Sequence, residues 1–303
     1  MVKYLVEREY AVSGLDVASG DLEPNRGIYA QVADITDKAI LKRAVEDVDI
    51  IFHLSGRFYG NEDSIRRANM LGTKNMVDSC IDSGVKCFLF PSSATVYGDT
   101  GGELVDESSE CRPASAYGHS KLEAERILLN AYKERGFPAV ILRLTGVYGP
   151  GGHILKPYLE RRRFHLIGRK SWTGFVHVDD VVRALEIAGR KRPVGETFIV
   201  TDDRPATRRE FYDFVSEQLG VPPPRHIPVP VARIYGEAMQ IYSRITGRTA
   251  YTTPDTIRIS TQSNRFSNAK IKRELGFELI YPTYMQGAPQ VLRQYSHLFS
   301  TVR

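Results

Sequence analysis

The sequence alternates short, almost wholly apolar runs with longer stretches in which apolar side chains recur at helical spacing. The apolar runs are YAVSGLDV (10–17), VDIIFHLSG (48–56), VKCFLFPSS (85–93) and AVILRLTGVYG (139–149). Helical stretches lie around 37–45, 62–82 and 115–135. Strands that are apolar on both faces are typical of a parallel sheet covered by helices on both sides. The alternation therefore predicts an α/β fold with a doubly wound parallel sheet.

Small or polar residues stand where each apolar run ends. They are Asp16 in the first run, Ser55 and Gly56 in the second, Ser92 and Ser93 in the third, and Thr145 and Gly146 in the fourth. In an open α/β sheet the ligand binds at the carboxyl ends of the strands. The sequence therefore predicts one ligand site to which all four strand ends contribute.

The pattern is less regular after residue 150. FVHVDDVVRALEIAG (175–189) predicts a strand and a helix, and GETFIV (195–200) predicts another strand. Further helices are predicted over 206–220, 231–246 and 283–297. We therefore expect a sheet domain of residues 1–149 plus 174–200. Residues 150–173 plus 201–303 are expected to form a smaller cap over the strand ends.

The composition is that of an ordinary soluble protein and argues against several classes of function. No apolar run approaches the roughly 18 residues that span a bilayer, and the charged start does not resemble a secretion signal. The three cysteines (Cys80, Cys87 and Cys111) have no metal-binding spacing, so we expect no metal site and a cytoplasmic location. No nucleic-acid-binding module accompanies the net charge of +5.

Part of the positive charge lies in KPYLERRRFHLIGRK (156–170), which contains Arg161, Arg162 and Arg163. Short charge runs usually lie on a solvated surface, and a solvated helix end is the favoured interpretation. The alternative is that one of these arginines faces an anionic substrate group, because guanidinium suits phosphate and carboxylate.

The motif AYGHSK places Tyr117 and Lys121 four residues apart, on one face of a predicted helix. A free tyrosine, with a pKa of about 10, is a poor base at neutral pH, but a neighbouring ammonium favours the phenolate. Tyr117 is therefore a candidate general acid/base. Taken alone the motif is more typical of a surface Tyr–Lys pair, and only its context favours the catalytic interpretation.

The context is a series of motifs in a fixed order along the chain. The series runs D16, HLSG (53–56), NMLGT (69–73), SSATVYG (92–98), YGHSK (117–121), LRLTGVYGPG (142–151), FVHVDD (175–180) and ELGF (274–277). With these motifs the chain resembles, over nearly its whole length, the extended short-chain dehydrogenases/reductases that include the NAD-dependent epimerases and dehydratases. The resemblance implies a Rossmann-like sheet domain that binds NAD and a C-terminal cap that binds substrate.

The resemblance also implies roles for individual residues. Tyr117 would be the acid/base, Lys121 would lower its pKa and hold the nicotinamide ribose, and Ser93 would bond the reacting oxygen. Residues implied to contact the cofactor are Asp34, Ile35, Leu54, Ser55, Gly56, Leu144 and Val147. Residues implied to contact the substrate are Thr95, Thr145 and Gly146. The arginine that meets the nucleotide diphosphate in sugar-nucleotide relatives is missing before the FVHV strand, and Arg265 or one of Arg161 to Arg163 is a candidate to replace it.

A role for Asp16 in cofactor binding can also be inferred from its chemistry. An acid at the end of the second Rossmann strand accepts hydrogen bonds from both adenosine ribose hydroxyls and repels a 2′-phosphate. No arginine follows closely in VASGDLEPN (17–25), so NAD is preferred over NADP. The alternative is an ordinary turn aspartate.

One expected motif is absent from the 303 residues: a TGxxGxxG turn that would hold the cofactor pyrophosphate at a helix N-terminus. Met1 falls where the family's first helix has just left that turn. We expect the sheet neighbours of the missing strand to be unpaired. Three explanations are open: a start codon assigned too far downstream, a genuine truncation with weakened cofactor binding, or a cofactor-free relative. The retained Tyr117, Lys121, Ser93 and Asp16 favour the first.

The reaction and substrate class stay open at this stage. The preferred interpretation is an epimerase or dehydrogenase that moves a hydride from a carbinol carbon of a sugar nucleotide. Dehydration is disfavoured because Ala94 and Thr95 stand where such family members use Asp–Glu. Gly146, Thr173 and Gly174 depart from sugar-nucleotide relatives, so a 3β-hydroxysteroid dehydrogenase or dihydroflavonol reductase-like enzyme on a bulkier, less charged substrate is the alternative.

Two further expectations concern surfaces. The helix over 231–246 has a modest apolar stripe, which favours packing within the cap over contact with a membrane. The family also implies a homodimer paired through the helices around 62–82 and 115–135.

One alternative to an enzyme stays open: the protein could be a non-catalytic relative that binds NAD.

Overall fold

A computed structural model describes residues 1–18, 28–152, 154–156, 165–168 and 171–295. The strands are β1 (Val12–Asp16), β2 (Ile28–Val32), β3 (Ile50–Phe52), β4 (Cys87–Ser93), β5 (Leu104–Val105), β6 (Ala139–Leu144), β7 (Gly146–Tyr148), β8 (His165–Ile167), β9 (Trp172–Thr173), β10 (Phe175–His177), β11 (Thr197–Val200), β12 (Ala206–Thr207), β13 (Arg225–Ile227) and β14 (Arg265–Phe266). The helices are α1 (Val2–Val6), α2 (Lys38–Ala44), α3 (Glu62–Arg66), α4 (Gly72–Cys80), α5 (Ala116–Arg135), α6 (Val178–Lys191), α7 (Arg208–Leu219), α8 (Val229–Thr246), α9 (Pro254–Thr261), α10 (Ala269–Leu275) and α11 (Tyr284–Gln294).

The centre of the fold is a parallel sheet with the strand order β11-β6-β4-β3. The predicted runs over 48–56, 85–93, 139–149 and 195–200 supply its strands, and β4 and β6 are buried on both faces. Phe88 and Phe90 on β4 point to one face, while Cys87 and Leu89 point to the other. All four side chains are fully buried. This alternation explains why the run reads as continuously apolar.

Helices cover both faces of this sheet, which confirms the doubly wound α/β prediction. Side chains of α2, α4 and α5 pack on the face that carries Phe88 and Phe90. Side chains of α6 and α10 pack on the opposite face. Because the strands run parallel, their carboxyl ends lie along one edge of the sheet.

Strands β1 and β2 form a separate parallel pair. Among the described residues β1 pairs only with β2, and β3 pairs only with β4, so each has an unpaired edge. This agrees with the expectation that the two sheet neighbours of the missing strand, β1 and β3, are each unpaired on one edge. Strand β2 was not predicted, and the exposure of Tyr29 (73%) and Val32 (60%) explains its weak signal.

The predicted helix over 62–82 is interrupted. It consists of α3, a π-helical turn at Arg67–Leu71, and α4, which ends at Cys80. Single π turns inside helices often occur at functional sites. This turn carries Asn69, which contacts the candidate site described below.

The remaining elements lie mostly after residue 150. An apolar cluster formed by α7, α11 and β10 includes Phe211, Val291 and Phe175, with the rings of Phe175 and Phe211 stacked at 4.1 Å.

The predicted helix over 283–297 is α11, and residues 296–297 lie outside the described part. Arg161, Arg162 and Arg163 also lie outside the described residues. Helix α9 was not predicted. The division into a sheet domain and a cap stays a prediction.

Within the part of the chain that the structure describes, every helix is too short or too polar to cross a membrane. The longest are α5, of 20 residues, and α8, of 18 residues.

Candidate active site

The candidate site lies where the carboxyl ends of β3, β4 and β6 meet the N-terminal half of α5. Ser93 ends β4, Leu144 ends β6, and the loop Leu54–Gly56 follows β3. Parallel pairing aligns these ends, with Ser93 opposite Leu144 in the register. The structure thus brings together the strand ends that the sequence singled out.

Helix α5 begins so that Tyr117 lies in its first turn. The side chain of Ser115 caps the helix by accepting a hydrogen bond from the Gly118 amide at 3.0 Å. The Ala116 amide donates to Asp255 Oδ1 of α9 at 2.8 Å. Carboxylates are favourable at a helix N-terminus because they satisfy free amides and the helix dipole. Asp255 therefore fixes the start of α5 from a segment more than a hundred residues away, and no local sequence signal indicated it.

Three hydroxyl groups form a chain at this helix end. The Thr95 hydroxyl donates to Ser93 Oγ at 2.9 Å, and Ser93 in turn shares a side-chain hydrogen bond with Tyr117. Gly118 makes this approach possible, because a Cβ there would lie 2.8 Å from the Thr95 carbonyl oxygen. The predicted association of Ser93, Thr95 and Tyr117 is therefore present in the geometry.

Desolvation raises the pKa of Tyr117 to about 12. The hydrogen bond with Ser93 acts in the opposite direction but has the smaller effect. The direction is opposite to the one that the resemblance implied. Desolvation disfavours the phenolate, and the Lys121 ammonium group donates its hydrogen bond to the Pro91 carbonyl oxygen. In this structure Tyr117 is therefore protonated at neutral pH.

Lys121 is 5% exposed. Its ammonium group donates to the Pro91 carbonyl oxygen at 2.8 Å and lies 4.5 Å from the centre of the Phe90 ring. Burial lowers the pKa of Lys121 to about 8, while Glu125 one helical turn later acts in the opposite direction. An ammonium has three N–H donors, so the single bond to Pro91 leaves donors for a ligand.

A buried charged network lies one turn beyond Lys121. Glu125 (1% exposed) accepts three hydrogen bonds from Arg143 of β6, at 2.7, 3.1 and 3.3 Å. It also accepts a hydrogen bond from the Ser92 hydroxyl, and Arg143 donates to the Tyr97 hydroxyl at 2.7 Å. The network joins α5 to β4 and β6 directly beside the Tyr117–Ser93 pair. Glu125 and Arg143 were not predicted as site residues, because a polar residue in a helix or strand does not reveal its partner.

The loop after β3 is held against α5 by Asn69. Its side chain accepts a bond from the Arg57 amide at 2.6 Å and donates to the Arg57 carbonyl at 3.0 Å and to Ser120 Oγ at 2.8 Å. A Cβ on Gly56 would lie 3.5 Å from Lys121 Nζ and 3.3 Å from Asn69 Oδ1. The backbone at Gly56 therefore passes close to Lys121, which fits the predicted position of this loop beside a cofactor.

The residues predicted near adenosine lie at the ends of β1 and β2. Asp16 ends β1, is exposed, and accepts a hydrogen bond from the Ala18 amide at 3.2 Å. Asp34 accepts one from the Thr36 amide at 2.8 Å, and the bonds to Thr36 lower its pKa. Ile35 is buried and packs against Gly72 of α4. Asp34 and Ile35 thus have local structural roles, and their contact with a cofactor stays a prediction.

The turn between β6 and β7 carries the other predicted contacts, Leu144, Thr145, Gly146 and Val147, all of them half-buried. The Thr145 hydroxyl lies 3.2 Å from that of Thr201, and the Gly146 amide donates to the Gly174 carbonyl at 3.0 Å. A Cβ on Gly146 would lie only 3.0 Å from that carbonyl oxygen. Glycine at 146 and 174 thus permits close passage of two backbones.

Arg265 was predicted to contact substrate. It lies on β14, where its Nε donates to the Gly102 carbonyl at 2.6 Å and its guanidinium lies 6.0 Å from the Trp172 ring. These contacts attach it to a surface loop rather than to Tyr117 or Ser93. Its predicted role has no support from this geometry.

A row of aromatic rings leads away from Tyr117. Phe58 lies edge-on to Tyr117 with ring centres 4.7 Å apart, Tyr59 lies 4.8 Å from Phe58, and Tyr251 lies 5.1 Å from Tyr59. Tyr251 is 61% exposed. We call Tyr117, Phe58, Tyr59 and Tyr251 the aromatic row. The sequence analysis did not identify it, because it joins a loop after β3 to one nearly two hundred residues later.

Similar sequences include several steroid and sterol dehydrogenases. The chain is 25% identical over 292 residues to 3beta-hydroxysteroid-dehydrogenase/decarboxylase isoform 1 of Arabidopsis thaliana, covering 88% of this chain and 66% of that protein. Against isoform 2 the identity is 24%, and the match spans 52% of the relative's length. Sterol-4-alpha-carboxylate 3-dehydrogenase of Bos taurus is 27% identical over 246 residues, or 75% of this chain and 68% of that protein.

Solved structures share the fold at low identity. UDP-glucose 4-epimerase from Thermotoga maritima superposes with a TM-score of 0.80 at 22% identity, covering 98% of this chain and 94% of the other. The dTDP-glucose 4,6-dehydratase DesIV from Streptomyces venezuelae, solved with NAD, superposes with a TM-score of 0.79 at 21% identity, covering 98% and 92%. These similarities confirm the Rossmann-like architecture.

A family model matches residues 1–200, which include β1 to β11 and the Tyr117–Lys121 pair. The matched family is described as the NAD dependent epimerase/dehydratase family. Since the match covers about two thirds of the chain, the predicted resemblance is confirmed. The chain belongs to the NAD dependent epimerase/dehydratase family.

Proposed function

We propose that the protein is an NAD-dependent oxidoreductase that oxidises a secondary alcohol to a ketone, or catalyses the reverse reaction. The single observation that carries the proposal is the hydrogen-bonded Tyr117–Ser93 pair beside buried Lys121, at the carboxyl ends of parallel strands. This is the edge where open α/β sheets bind their ligands. The family to which the chain belongs supports the same reaction type.

The residues present fit NAD at both of its ends. Asp16, exposed at the end of β1, offers carboxylate oxygens to the adenosine ribose. Lys121 offers ammonium donors to the nicotinamide ribose, and the backbone at Gly56 passes close by. Leu54, exposed at the end of β3, offers an apolar surface beside them. Bound NAD⁺ would supply the hydride acceptor.

In the oxidation direction Ser93 and the phenolate form of Tyr117, which is the minor form at neutral pH, bind the substrate hydroxyl. The hydroxyl proton passes to the phenolate oxygen, the adjacent C–H hydrogen leaves as hydride, and the C–O single bond becomes a C=O double bond. Lys121 contributes a positive charge that stabilises the phenolate form of Tyr117 once a ligand displaces its bond to Pro91. In the reduction direction protonated Tyr117 donates its proton to the carbonyl oxygen.

For the substrate we propose a bulky, largely apolar ring alcohol. The aromatic row presents an apolar surface beside the Tyr117 phenol, and Arg265 is bound elsewhere. The similar sequences named above include proteins that act on steroids and sterols. A nucleotide sugar stays a prediction, supported by the fold shared with enzymes of that class. Cytoplasmic location and pairing of two subunits through α3, α4 and α5 are also kept as proposals.

The test is oxidation of substrate panels by the protein with NAD⁺, followed by NADH absorbance and product chromatography. One panel contains 3β-hydroxysterols in detergent, and the other contains UDP- and dTDP-sugars. We expect turnover of the sterols. Turnover or epimerisation of the sugars alone would refute the proposed substrate class.

The Tyr117→Phe variant tests the chemistry, because it removes only the hydroxyl. We expect turnover to fall by about 10²- to 10⁴-fold, the range for loss of a general acid/base. Tyr132→Phe is the matched control, since Tyr132 lies on the same helix with its ring 39% exposed. Equal activity of the two variants would exclude Tyr117 as the acid/base. NAD binding without Tyr117-dependent turnover would indicate a non-catalytic relative.

A further inference from the structure

Helix α8 carries an apolar stripe that faces away from the rest of the protein. The stripe consists of Val231, Ile234, Tyr235, Ile241, Tyr242 and Ile245. Their spacing of three or four residues places them on one helix face. Ile234 is 74% exposed and Ile245 is 79% exposed. Packing within the cap was predicted for this helix, but the exposure of these six side chains shows that the stripe takes no part in such packing among the described residues.

The opposite face of α8 is already packed. Ala232 and Gly236 are buried, and a Cβ on Gly236 would lie 2.5 Å from Ile257 Cδ1 of α9. Rotation of the helix to bury the stripe would break this contact. The helix therefore has two apolar faces, and only one of them serves the fold of the described residues. At 1.5 Å per residue the stripe is about 21 Å long.

Charged residues border the stripe and are mostly basic. Arg233 and Arg244 lie three helical turns apart on one flank, with Glu237 between them, and all three are exposed. Arg248 follows the helix and donates to the Tyr242 hydroxyl at 3.3 Å. Exposed apolar side chains bordered by arginines are typical of helices that lie in the interface of an anionic membrane. Tyrosines suit the same interface because they have an apolar ring and a polar end.

The stripe is followed closely in the sequence by the aromatic row. Helix α8 ends in a glycine cap at Gly247, and Tyr251, the exposed end of the row, comes four residues later. The row continues through Tyr59 and Phe58 to Tyr117 with ring centres about 5 Å apart. The segment after the stripe therefore carries the outer end of a series of ring contacts that reaches the reacting phenol.

We propose that the α8 stripe binds the surface of an anionic lipid bilayer and that a lipid-soluble substrate reaches Tyr117 along the aromatic row. Bilayer binding goes beyond the proposed function, whereas the substrate route rests on the proposed function. A second copy is a poorer occupant of this face. Pairing two stripes would bring two sets of three arginines together with only two glutamates, whereas an anionic bilayer attracts all three arginines.

The test is flotation of the protein with vesicles of phosphatidylcholine alone and of phosphatidylcholine with 30 mol% phosphatidylserine. We expect at least tenfold tighter binding to the anionic vesicles, and weaker binding as salt is raised. The Ile234→Glu/Ile245→Glu variant should bind at least tenfold more weakly. The matched control is Leu104→Glu/Ile280→Glu, which changes exposed apolar residues elsewhere and should bind as the unchanged protein does.

Three results would overturn the proposal. The first is that the unchanged protein binds neither kind of vesicle, and the second is that the Ile234→Glu/Ile245→Glu variant and the control bind equally well. The third is that the unchanged protein is a dimer that does not bind vesicles and that the Ile234→Glu/Ile245→Glu variant is a monomer, which would assign the stripe to a second copy. Vesicle binding is measured without NAD or substrate, so failure of the proposed reaction leaves this test intact.

Discussion

The two longest helices of the described chain use their side chains in opposite ways. Helix α5 buries charged groups, with Lys121 at 5% and Glu125 at 1% exposure. Helix α8 exposes apolar groups, with Ile234 and Ile245 both more than 70% exposed. A buried charge needs a specific partner, and an exposed apolar stripe needs a surface to cover it. The difference locates the proposed chemistry on one helix and the proposed docking surface on the other.

The largest expected effect is a loss of stability when the buried charge of Glu125 on α5 is removed. Glu125→Gln leaves Arg143 buried without its carboxylate, and breaking such a pair typically costs about 3–5 kcal/mol of unfolding free energy. Urea unfolding followed by circular dichroism measures the change.

The control for that variant is Glu123→Gln on the same helix. Glu123 pairs with Arg126 at 2.5 Å, but both side chains are largely exposed. Exposed pairs contribute about 0–1 kcal/mol, so this variant should stay close to the unchanged protein. Similar losses in both variants would remove the distinction between the buried pair and the surface pair.

The second effect concerns pH and the proton on Tyr117. Its pKa is raised to about 12, so the base form is scarce at neutral pH and becomes more abundant as pH rises. The kcat/KM for alcohol oxidation should therefore rise by up to about tenfold per pH unit between pH 6 and 8. Ketone reduction uses the protonated form and should not rise. Steady-state rates in both directions measure this. An oxidation rate independent of pH would contradict a proton transfer to Tyr117.

The smallest expected effect is the change in unfolding free energy caused by substitutions in the α8 stripe. Ile234→Ser/Ile245→Ser replaces exposed apolar side chains that pack on no described residue of the core clusters. The unfolding free energy should change by no more than about 0.5 kcal/mol per site, as for ordinary surface substitutions. Thermal and urea unfolding measure this change. A loss of several kcal/mol would show that the stripe is packed in solution and would refute its exposure.

Much of the fold was predictable because strands and helices have local periodicities. The four apolar runs became strands, and the helices over 37–45, 115–135 and 231–246 occur within two residues of the predicted bounds. Strand β2 and helix α9 were missed because each is short, with five and eight residues, and β2 also exposes Tyr29 and Val32. At the site, the sequence grouped Tyr117, Lys121 and Ser93, whereas Glu125 and Asp255 were not identified. Their partners lie far away in the sequence, and no short motif encodes such a pairing.

By itself the sequence determined the alternation of strands and helices, the family, and the placement of Tyr117 and Lys121 on one helix face. These follow from spacing along the chain, which fixes which side chains share a face. The tertiary structure decided the burial of Glu125, the raised pKa of Tyr117, the aromatic row and the exposure of the α8 stripe. Each depends on which distant segments pack together, because burial and desolvation are properties of the whole fold rather than of any segment alone.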